Sequence, residues 1–240
     1  MTDDHLLTQL SVVVPAYNEE RTISSAIARV LAQPCVGEVV IVNDASTDNT
    51  GLLLDTIQDP RVIVISHERN RGKGAALRTG FAHATLPYVA VHDADLEYDP
   101  ADFPRLLRPL VEGTADVVYG SRFVSGEARR VLYYWHSVGN RILTTFSNML
   151  TNINLSDMET CSKVFRREII QSLDLREERF GFEPEVTCKV AKLGCRIFEV
   201  GISYSGRTYA EGKKIGWKDG VRAIYVLVKY SRRSVSSPAT

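Results

Sequence analysis

The sequence has few cysteines and no excess of either charge, and these two absences exclude several classes of protein. The four cysteines form no CxxC pair and show no zinc-like spacing, so we expect free thiols in a reducing compartment. They are Cys35, Cys161, Cys188 and Cys195. The 29 basic residues balance the 29 acidic ones, which gives no overall attraction to nucleic acid. Charge that matters for function therefore acts locally.

Long apolar runs and several nucleotide and hydrolase motifs are also absent. No run of about 18 consecutive apolar residues occurs that could span a bilayer. Residues 1–5 show no basic or apolar region of the secretory type. Neither the GxxxxGK[ST] pattern of ATPases nor a GxSxG nucleophile elbow is present. We therefore expect a cytoplasmic protein that can touch the inner face of a membrane.

What is present is an alternation of strand-like and helix-like segments, which predicts an α/β domain over residues 1–230 and a flexible tail over 231–240. The predicted strands are Ser11–Ala16, Glu38–Asn43, Val62–Ser66, Pro87–His92, Asp116–Tyr119, Lys163–Phe165 and Arg196–Val200. The predicted helices are Glu20–Ala32, Asp48–Gln58, Lys73–Ala84, Pro100–Glu112, Trp135–Leu150, Glu183–Leu193 and Trp217–Tyr230. Because such alternation gives parallel strands, ligands are expected beyond their carboxyl ends.

Asp93 and Asp95 follow a buried-strand pattern and are the most informative residues of the chain. If strand geometry persists, both side chains and that of Glu97 point to one side. Three carboxylates can hold a hard divalent ion such as Mg²⁺ or Mn²⁺ and leave positions for phosphate oxygens. The alternative is an acidic surface loop, which a DxD taken by itself would indicate.

Two further loops at predicted strand ends carry charge. Asp44 directly follows the second strand and is interpreted as a ligand-binding residue, whereas Asp48 is interpreted as part of the start of the following helix. The turn 71–74 (Arg-Gly-Lys-Gly) places Lys73 at a helix start that can bind an anion. Its glycines equally allow close backbone approach, and the sequence leaves both interpretations open.

These segments together resemble glycosyltransferase family 2, whose fold is the GT-A nucleotide-sugar transferase fold with a central, mostly parallel sheet flanked by helices. The resemblance rests on VVVPAYNEE, VNDASTDNT, NRGKGAA, HDADLEYDP and GSRF, in this order. Within the family the chain is most similar to the dolichyl- and polyprenyl-phosphate sugar synthases. No QxxRW motif of the processive polysaccharide synthases occurs.

The resemblance implies roles for particular residues, with residues 1–120 as the nucleotide-sugar and metal half and 121–230 as the acceptor half and lid. The metal ligands would be Asp93, Asp95 and Glu97. The nucleotide sugar, a GDP- or UDP-sugar, would be bound by Pro15, Tyr17, Glu19, Asp44, Lys73, Asp93, Arg207 and Lys213. Arg122 would face an acceptor phosphate, and Asp95, Glu159, Asp157 and Arg122 form the expected catalytic set.

The nature of the acceptor decides whether a general base is needed. A lipid phosphate is already anionic, whereas a sugar hydroxyl requires a base, for which Glu159 is the candidate and Asp157 the alternative. Residues 134–150 carry an apolar stripe at helical spacing, preceded by basic residues, which suits a helix at a lipid surface. A core helix or a dimer contact would show the same stripe.

The sequence thus favours an inverting, metal-dependent transfer of a sugar to a polyprenyl phosphate. The first alternative is transfer to a sugar hydroxyl of a cell-envelope or other glycan. The second is a non-catalytic module that binds nucleotide sugars. A nucleotidyltransferase is disfavoured because no glycine-rich phosphate loop follows Val14.

Overall fold

A seven-stranded sheet is the centre of the structure, a computed structural model that describes residues 8–124, 130–131, 133–206 and 217–231. The strands are β1 (Leu10–Ala16), β2 (Val36–Asn43), β3 (Val62–Ser66), β4 (Tyr88–Val91), β5 (Val117–Ser121), β6 (Lys163–Arg166) and β7 (Ile197–Gly201). The helices are α1 (Ile23–Leu31), α2 (Thr50–Asp55), α3 (Lys73–His83), α4 (Phe103–Val111), α5 (Tyr134–Thr151), α6 (Arg167–Ser172), α7 (Phe182–Lys192) and α8 (Trp217–Ser231). A short 3₁₀ turn, Pro100–Asp102, precedes α4.

The strands lie in the order β3-β2-β1-β4-β6-β5-β7. The four strands from β3 to β4 are parallel neighbours, as the alternation of strands and helices predicts. β1 and β2 are rich in valine and almost fully buried, which is typical of strands covered by helices on both faces. The predicted mostly parallel sheet with flanking helices is therefore confirmed.

The second half of the sheet differs from a simple parallel continuation. β6 lies between β4 and β5 and is antiparallel to both, and β7 is parallel to β5 at the edge. The sequence predicted β6 as a short strand but not its direction, and it missed α6. Placing β6 here brings the segment before it, residues 157–162, next to the carboxyl end of β4.

Local contacts explain the helix boundaries near the site. α2 begins at Thr50, two residues later than predicted, because the Asp48 carboxylate accepts hydrogen bonds from the backbone N–H groups of Thr50 (2.9 Å) and Glu20 (3.2 Å). Gly80 lets α3 lie directly on β1, since a Cβ atom there would be 2.2 Å from a methyl group of Val13. Asp48 is thus structural, as interpreted from the sequence.

The buried apolar residues form one core cluster that extends from Leu10 to Tyr230 and includes residues of both halves of the chain. α1 contributes Ile23, Ile27 and Val30, whose helical spacing turns one face toward the sheet. Among the residues that the structure describes, no helix combines the length and apolarity needed to cross a bilayer. The domain limits drawn from the sequence stay a prediction.

Candidate active site

The carboxyl ends of β1, β2 and β4 meet at one edge of the sheet and carry most of the predicted site residues. Pro15 lies in β1 beside Val42 of β2, and Val13 lies beside Val91 of β4. The loops that leave these strands therefore start next to one another. This edge is where ligands bind in parallel α/β sheets.

The loops after β1 and β2 are fastened to each other through Asn18. Its side-chain oxygen accepts a hydrogen bond from the backbone N–H of Thr47 at 2.8 Å. The backbone N–H of Asn18 donates to the hydroxyl of Ser46 at 3.1 Å. Tyr17 beside it is exposed, and Glu19 is partly buried. The predicted nucleotide residues at this end of β1 thus line a loop with a fixed backbone.

Lys73, the first residue of α3, reaches across to the acidic turn after β4. Its Nζ lies 2.9 Å from Oδ2 of Asp93 and 3.2 Å from Oε1 of Glu183 in the first turn of α7. Burial opposes the charge of Lys73, but the neighbouring carboxylates outweigh it and keep the lysine pKa well above its ordinary value. Burial likewise opposes the charge of Asp93, yet Lys73 holds the aspartate pKa below its ordinary value. A charged lysine therefore stands beside the DxD turn.

The row of three carboxylates inferred from strand alternation does not form, because β4 ends at Val91 and Leu96 adopts a left-handed backbone conformation with φ of 64°. Asp95 Oδ1 accepts a hydrogen bond from the Glu97 N–H at 3.1 Å. Glu97 turns to Tyr204, whose hydroxyl donates to its Oε2 at 2.7 Å. Within the described part of the chain, no group of three His, Cys, Asp or Glu side chains is arranged to hold a metal ion.

Arg122, at the end of β5, forms a buried ion pair with Asp157. Its Nε and Nη2 donate to the two carboxylate oxygens at 2.7 and 2.8 Å, and its backbone N–H donates at 3.1 Å. Asn140 of α5 donates to the same carboxylate at 3.1 Å, and the ring of Tyr204 lies 5.2 Å from the guanidinium. Burial opposes ionisation of Asp157, but Arg122 lowers its pKa below the ordinary value. The predicted alternative base is thus the counter-ion of Arg122.

Glu159 lies in a different environment from Asp157. Its Oε1 is buried and accepts no hydrogen bond from any described residue. Burial, together with the charge of Glu183, raises the pKa of Glu159 to about 8. The neutral, protonated carboxyl is therefore the main form near neutral pH.

Not every predicted site residue can be placed, and some residues of the site were missed. Arg207 and Lys213, predicted for the lid, lie outside the described residues. Sequence reasoning missed Glu183, because an acidic residue in the first turn of a helix is already explained by the helix dipole. It also missed His67, which belongs to no motif and reaches the site only through the fold. The functional roles of the predicted residues stay predictions.

Comparison with known proteins identifies the family of the chain. Residues 11–174 match the family described as Glycosyl transferase family 2. An undecaprenyl-phosphate mannosyltransferase from Micrococcus luteus is 30% identical over 219 residues, which cover 85% of this chain and 86% of the relative. A polyprenol monophosphomannose synthase from Mycolicibacterium smegmatis is 28% identical over 214 residues, 85% of this chain and 80% of the relative.

A solved structure shows the same fold. It is the glucosyl-3-phosphoglycerate synthase from Mycobacterium tuberculosis, determined with Mn²⁺, UDP and glucosyl-3-phosphoglycerate. The TM-score is 0.73 at 22% identity, with 98% of this chain and 86% of that chain covered. The GT-A fold and the family predicted from the sequence motifs are therefore confirmed, and the chain is a glycosyltransferase that belongs to glycosyl transferase family 2.

Proposed function

We propose that this enzyme transfers a sugar, with inversion, from a nucleotide-sugar donor to a polyprenyl phosphate, and that it uses Mg²⁺ or Mn²⁺. The observation that carries the proposal is the similarity to the undecaprenyl-phosphate mannosyltransferase of M. luteus, which extends over 86% of that enzyme. A match to 85% of this chain includes residues of both 1–120 and 121–230, the predicted donor and acceptor halves. The identity of the sugar and of the nucleotide base is left to experiment.

Asp93 and Asp95 fit a divalent ion by the chemistry of their donor atoms. Hard carboxylate oxygens suit Mg²⁺ and Mn²⁺, and Mg²⁺ typically binds through one or two carboxylates plus substrate phosphates. The oxygens of the donor diphosphate would supply further ligands to such an ion. When bound, such an ion neutralises charge on the departing nucleoside diphosphate. Lys73, held beside Asp93 at 2.9 Å, adds a positive charge at the same place.

Arg122 is suited to bind an anionic acceptor. The bonds from Nε and Nη2 to Asp157 occupy one edge of the guanidinium and fix its plane, so a phosphate oxygen would be bound from the Nη1 side of the group. Because Asp157 is committed to Arg122, it is a poor candidate for moving a proton. The arrangement thus serves an acceptor that arrives already charged.

Glu159 distinguishes a phosphate acceptor from a sugar hydroxyl. A sugar hydroxyl would need the ionised carboxylate of Glu159 as a general base, and the raised pKa of about 8 lies near the pH at which such a base works. A phosphate oxygen needs no base to attack the anomeric carbon. Transfer to a hydroxyl is the second candidate, and it would require Glu159 in its ionised form.

The exposed apolar face of α5 supports contact with a membrane surface. Trp135 is 79% exposed, and Tyr134, Ile142 and Met149 are exposed on the same helix. Phe146 instead packs against the core, so the apolar stripe of the sequence serves both purposes. Exposed aromatic residues of this kind bind at the boundary between headgroups and acyl chains. We propose that α5 brings the site to the lipid acceptor at the cytoplasmic face.

The donor half of the proposal is tested by Asp95→Asn, with Asp99→Asn as the matched control. Asp99 lies near the same turn, is paired with Arg29 at 3.1 Å on the surface, and keeps an oxygen for the Ala101 N–H when it is changed to Asn. We expect Asp95→Asn to abolish transfer without loss of the folded state, whereas Asp99→Asn stays active. Full activity of a folded Asp95→Asn enzyme would remove the metal assignment.

The membrane half is tested by flotation with anionic lipid vesicles. Trp135→Ala combined with Ile142→Ser should reduce the bound fraction, since both side chains are exposed and apolar. Thr145→Ala, an exposed change on the same helix, should bind as the unchanged protein does. Equal binding of all three proteins would contradict the assignment of α5 to the lipid surface.

A further inference from the structure

A buried chain of hydrogen bonds lies behind the predicted nucleotide residue Asp44. The Nδ1 of His67 is 2.7 Å from Oδ1 of Asp44, and its Nε2 is 2.9 Å from the hydroxyl of Thr79 in α3. The side chains of His67 and Asp44 are only 7% and 3% exposed. Since a carboxylate can only accept, Nδ1 carries the hydrogen, and in the neutral ring Nε2 accepts from Thr79. This series of hydrogen bonds therefore fixes the orientation of both the His67 ring and the Asp44 carboxylate.

The same carboxylate closes the turn that precedes α3. It accepts hydrogen bonds from the backbone N–H of Arg71 at 2.9 Å and from that of Gly72 at 2.6 Å. The carbonyl oxygen of Asp44 also accepts from the side chain of Asn70 at 3.3 Å. One aspartate thus sets the path of three consecutive residues.

That turn ends at Lys73, so its shape decides where the lysine points. Gly72 has φ of 89°, and a Cβ atom there would lie 2.4 Å from the carbonyl oxygen of Glu178, which closes the other side of the turn. Held between Asp44 and Glu178, the backbone directs Nζ of Lys73 to Asp93 and Glu183. A displacement of Asp44 would therefore be passed on to the charged lysine beside the DxD turn.

We propose that His67 and Thr79 are positioning residues of the donor site. They hold Asp44 at the predicted nucleotide pocket and, through the turn at residues 71–72, set Lys73 against Asp93. The inference rests on the proposed function, because it takes the nucleoside diphosphate of the donor as the ligand. A purely structural role for the same hydrogen bonds would affect stability and leave nucleotide binding unchanged.

The test compares three variants of the residues in this series of hydrogen bonds with a matched control. His67→Phe removes both hydrogen bonds, Thr79→Val removes the outer one, and Thr79→Ser restores the hydroxyl. His83→Gln is the control, because His83 bonds to the backbone oxygen of Thr79 at 2.9 Å on the exposed side of α3. The probes are UDP and GDP, each with Mg²⁺ or Mn²⁺, titrated by calorimetry into the full chain. Thermal melting follows the folded state of each variant.

We expect His67→Phe to weaken binding of the nucleoside diphosphate by about 10- to 100-fold, the range found when a hydrogen-bond partner that orients a metal ligand is removed. Thr79→Val should weaken it less, and Thr79→Ser and His83→Gln should bind as the unchanged chain does. A lower melting temperature with unchanged nucleotide affinity would overturn the inference. If His67→Phe does not fold, the pair Thr79→Val and Thr79→Ser decides, and equal affinities would overturn it.

The same titrations separate this inference from the proposed function. If the unchanged chain binds neither UDP nor GDP with either metal, the proposed function fails and the positioning role fails with it. If the unchanged chain binds one of them and His67→Phe binds it equally well, only the positioning role is refuted.

Discussion

The buried pair of Arg122 and Asp157 gives the sharpest test of the structure, because a surface pair of the same two residue types provides the control. Asp157 is fully buried and accepts from Arg122 at 2.7 and 2.8 Å. Asp157→Asn keeps the shape but removes the charge, and it turns an amide donor toward the donors of Arg122 or Asn140. Removing one partner of a buried ion pair costs about 3–5 kcal/mol. At about 2–4 °C per kcal/mol for a chain of this length, the melting temperature should fall by about 6–20 °C.

The control is Asp174→Asn, which breaks the pair with Arg176. These side chains are 71% and 60% exposed, and exposed pairs contribute about 0.2–1 kcal/mol. Circular dichroism melts of both variants against the unchanged chain measure the difference. If Asp157→Asn and Asp174→Asn have the same melting temperature, the pair of Asp157 with Arg122 does not stabilise the fold as the structure indicates.

The dependence of this effect on pH follows from the lowered pKa of Asp157. Burial opposes ionisation, Arg122 more than compensates, and the folded-state pKa lies below that of the unfolded chain. The charge of Asp157 therefore stabilises the fold above the unfolded-state pKa of about 3.9, and this contribution is lost as the pH falls through the folded-state value. Urea titrations measure the free energy of unfolding of the unchanged chain and of Asp157→Asn. The difference between the two values should stay constant from neutral pH to about pH 4 and disappear at lower pH. A difference that persists at lower pH would assign the effect to packing.

Two further predictions concern a glycine and a carboxyl group. Gly74→Ala should destabilise the fold by about 1–3 kcal/mol, because the new Cβ would lie 2.3 Å from the carbonyl oxygen of Glu177. In Gly139→Ala of α5 the new Cβ meets nothing within 4 Å, so this change should stabilise the fold by about 0.5–1 kcal/mol. Urea denaturation measures the free energy of unfolding, which should be lower for Gly74→Ala and higher for Gly139→Ala than for the unchanged chain. Glu159→Gln mimics the protonated carboxyl, so its stability relative to the unchanged chain should rise between about pH 4.3 and about 8 and then stay constant. A flat difference over that range would contradict the raised pKa. The same variant should retain transfer to a phosphate acceptor.

The parallel half of the fold could be read from the sequence, because each of its strands is followed by a helix and short crossovers leave little choice of neighbour. The place of β6 could not. Its pairing with β4 and β5 is antiparallel and depends on long-range contacts that no local pattern encodes. The motif residues at the strand ends were therefore easier to predict than the segment at residues 157–162, which reaches the site through β6.

The candidate site likewise contains residues that local sequence patterns predict and residues that only long-range contacts bring into place. Asp93 and Lys73 were recognised from local patterns, and the structure adds the bond of 2.9 Å between them. The row that included Glu97 was wrong in its geometry, because strand alternation was extended past Val91 into a turn. His67 gave no signal at all, since its role depends on contacts with β2 and α3 that only the folded chain brings together.

Transfer of a sugar to a lipid phosphate can be measured by following labelled sugar into lipid. The purified chain would be incubated with polyprenyl phosphate, Mg²⁺ or Mn²⁺, and a panel of labelled UDP- and GDP-sugars. We expect metal-dependent label in an organic-extractable, acid-labile product with one donor, and this donor would also identify the sugar. Donor binding without lipid labelling, together with labelling of a hydroxyl acceptor that Glu159→Gln abolishes, would contradict this expectation.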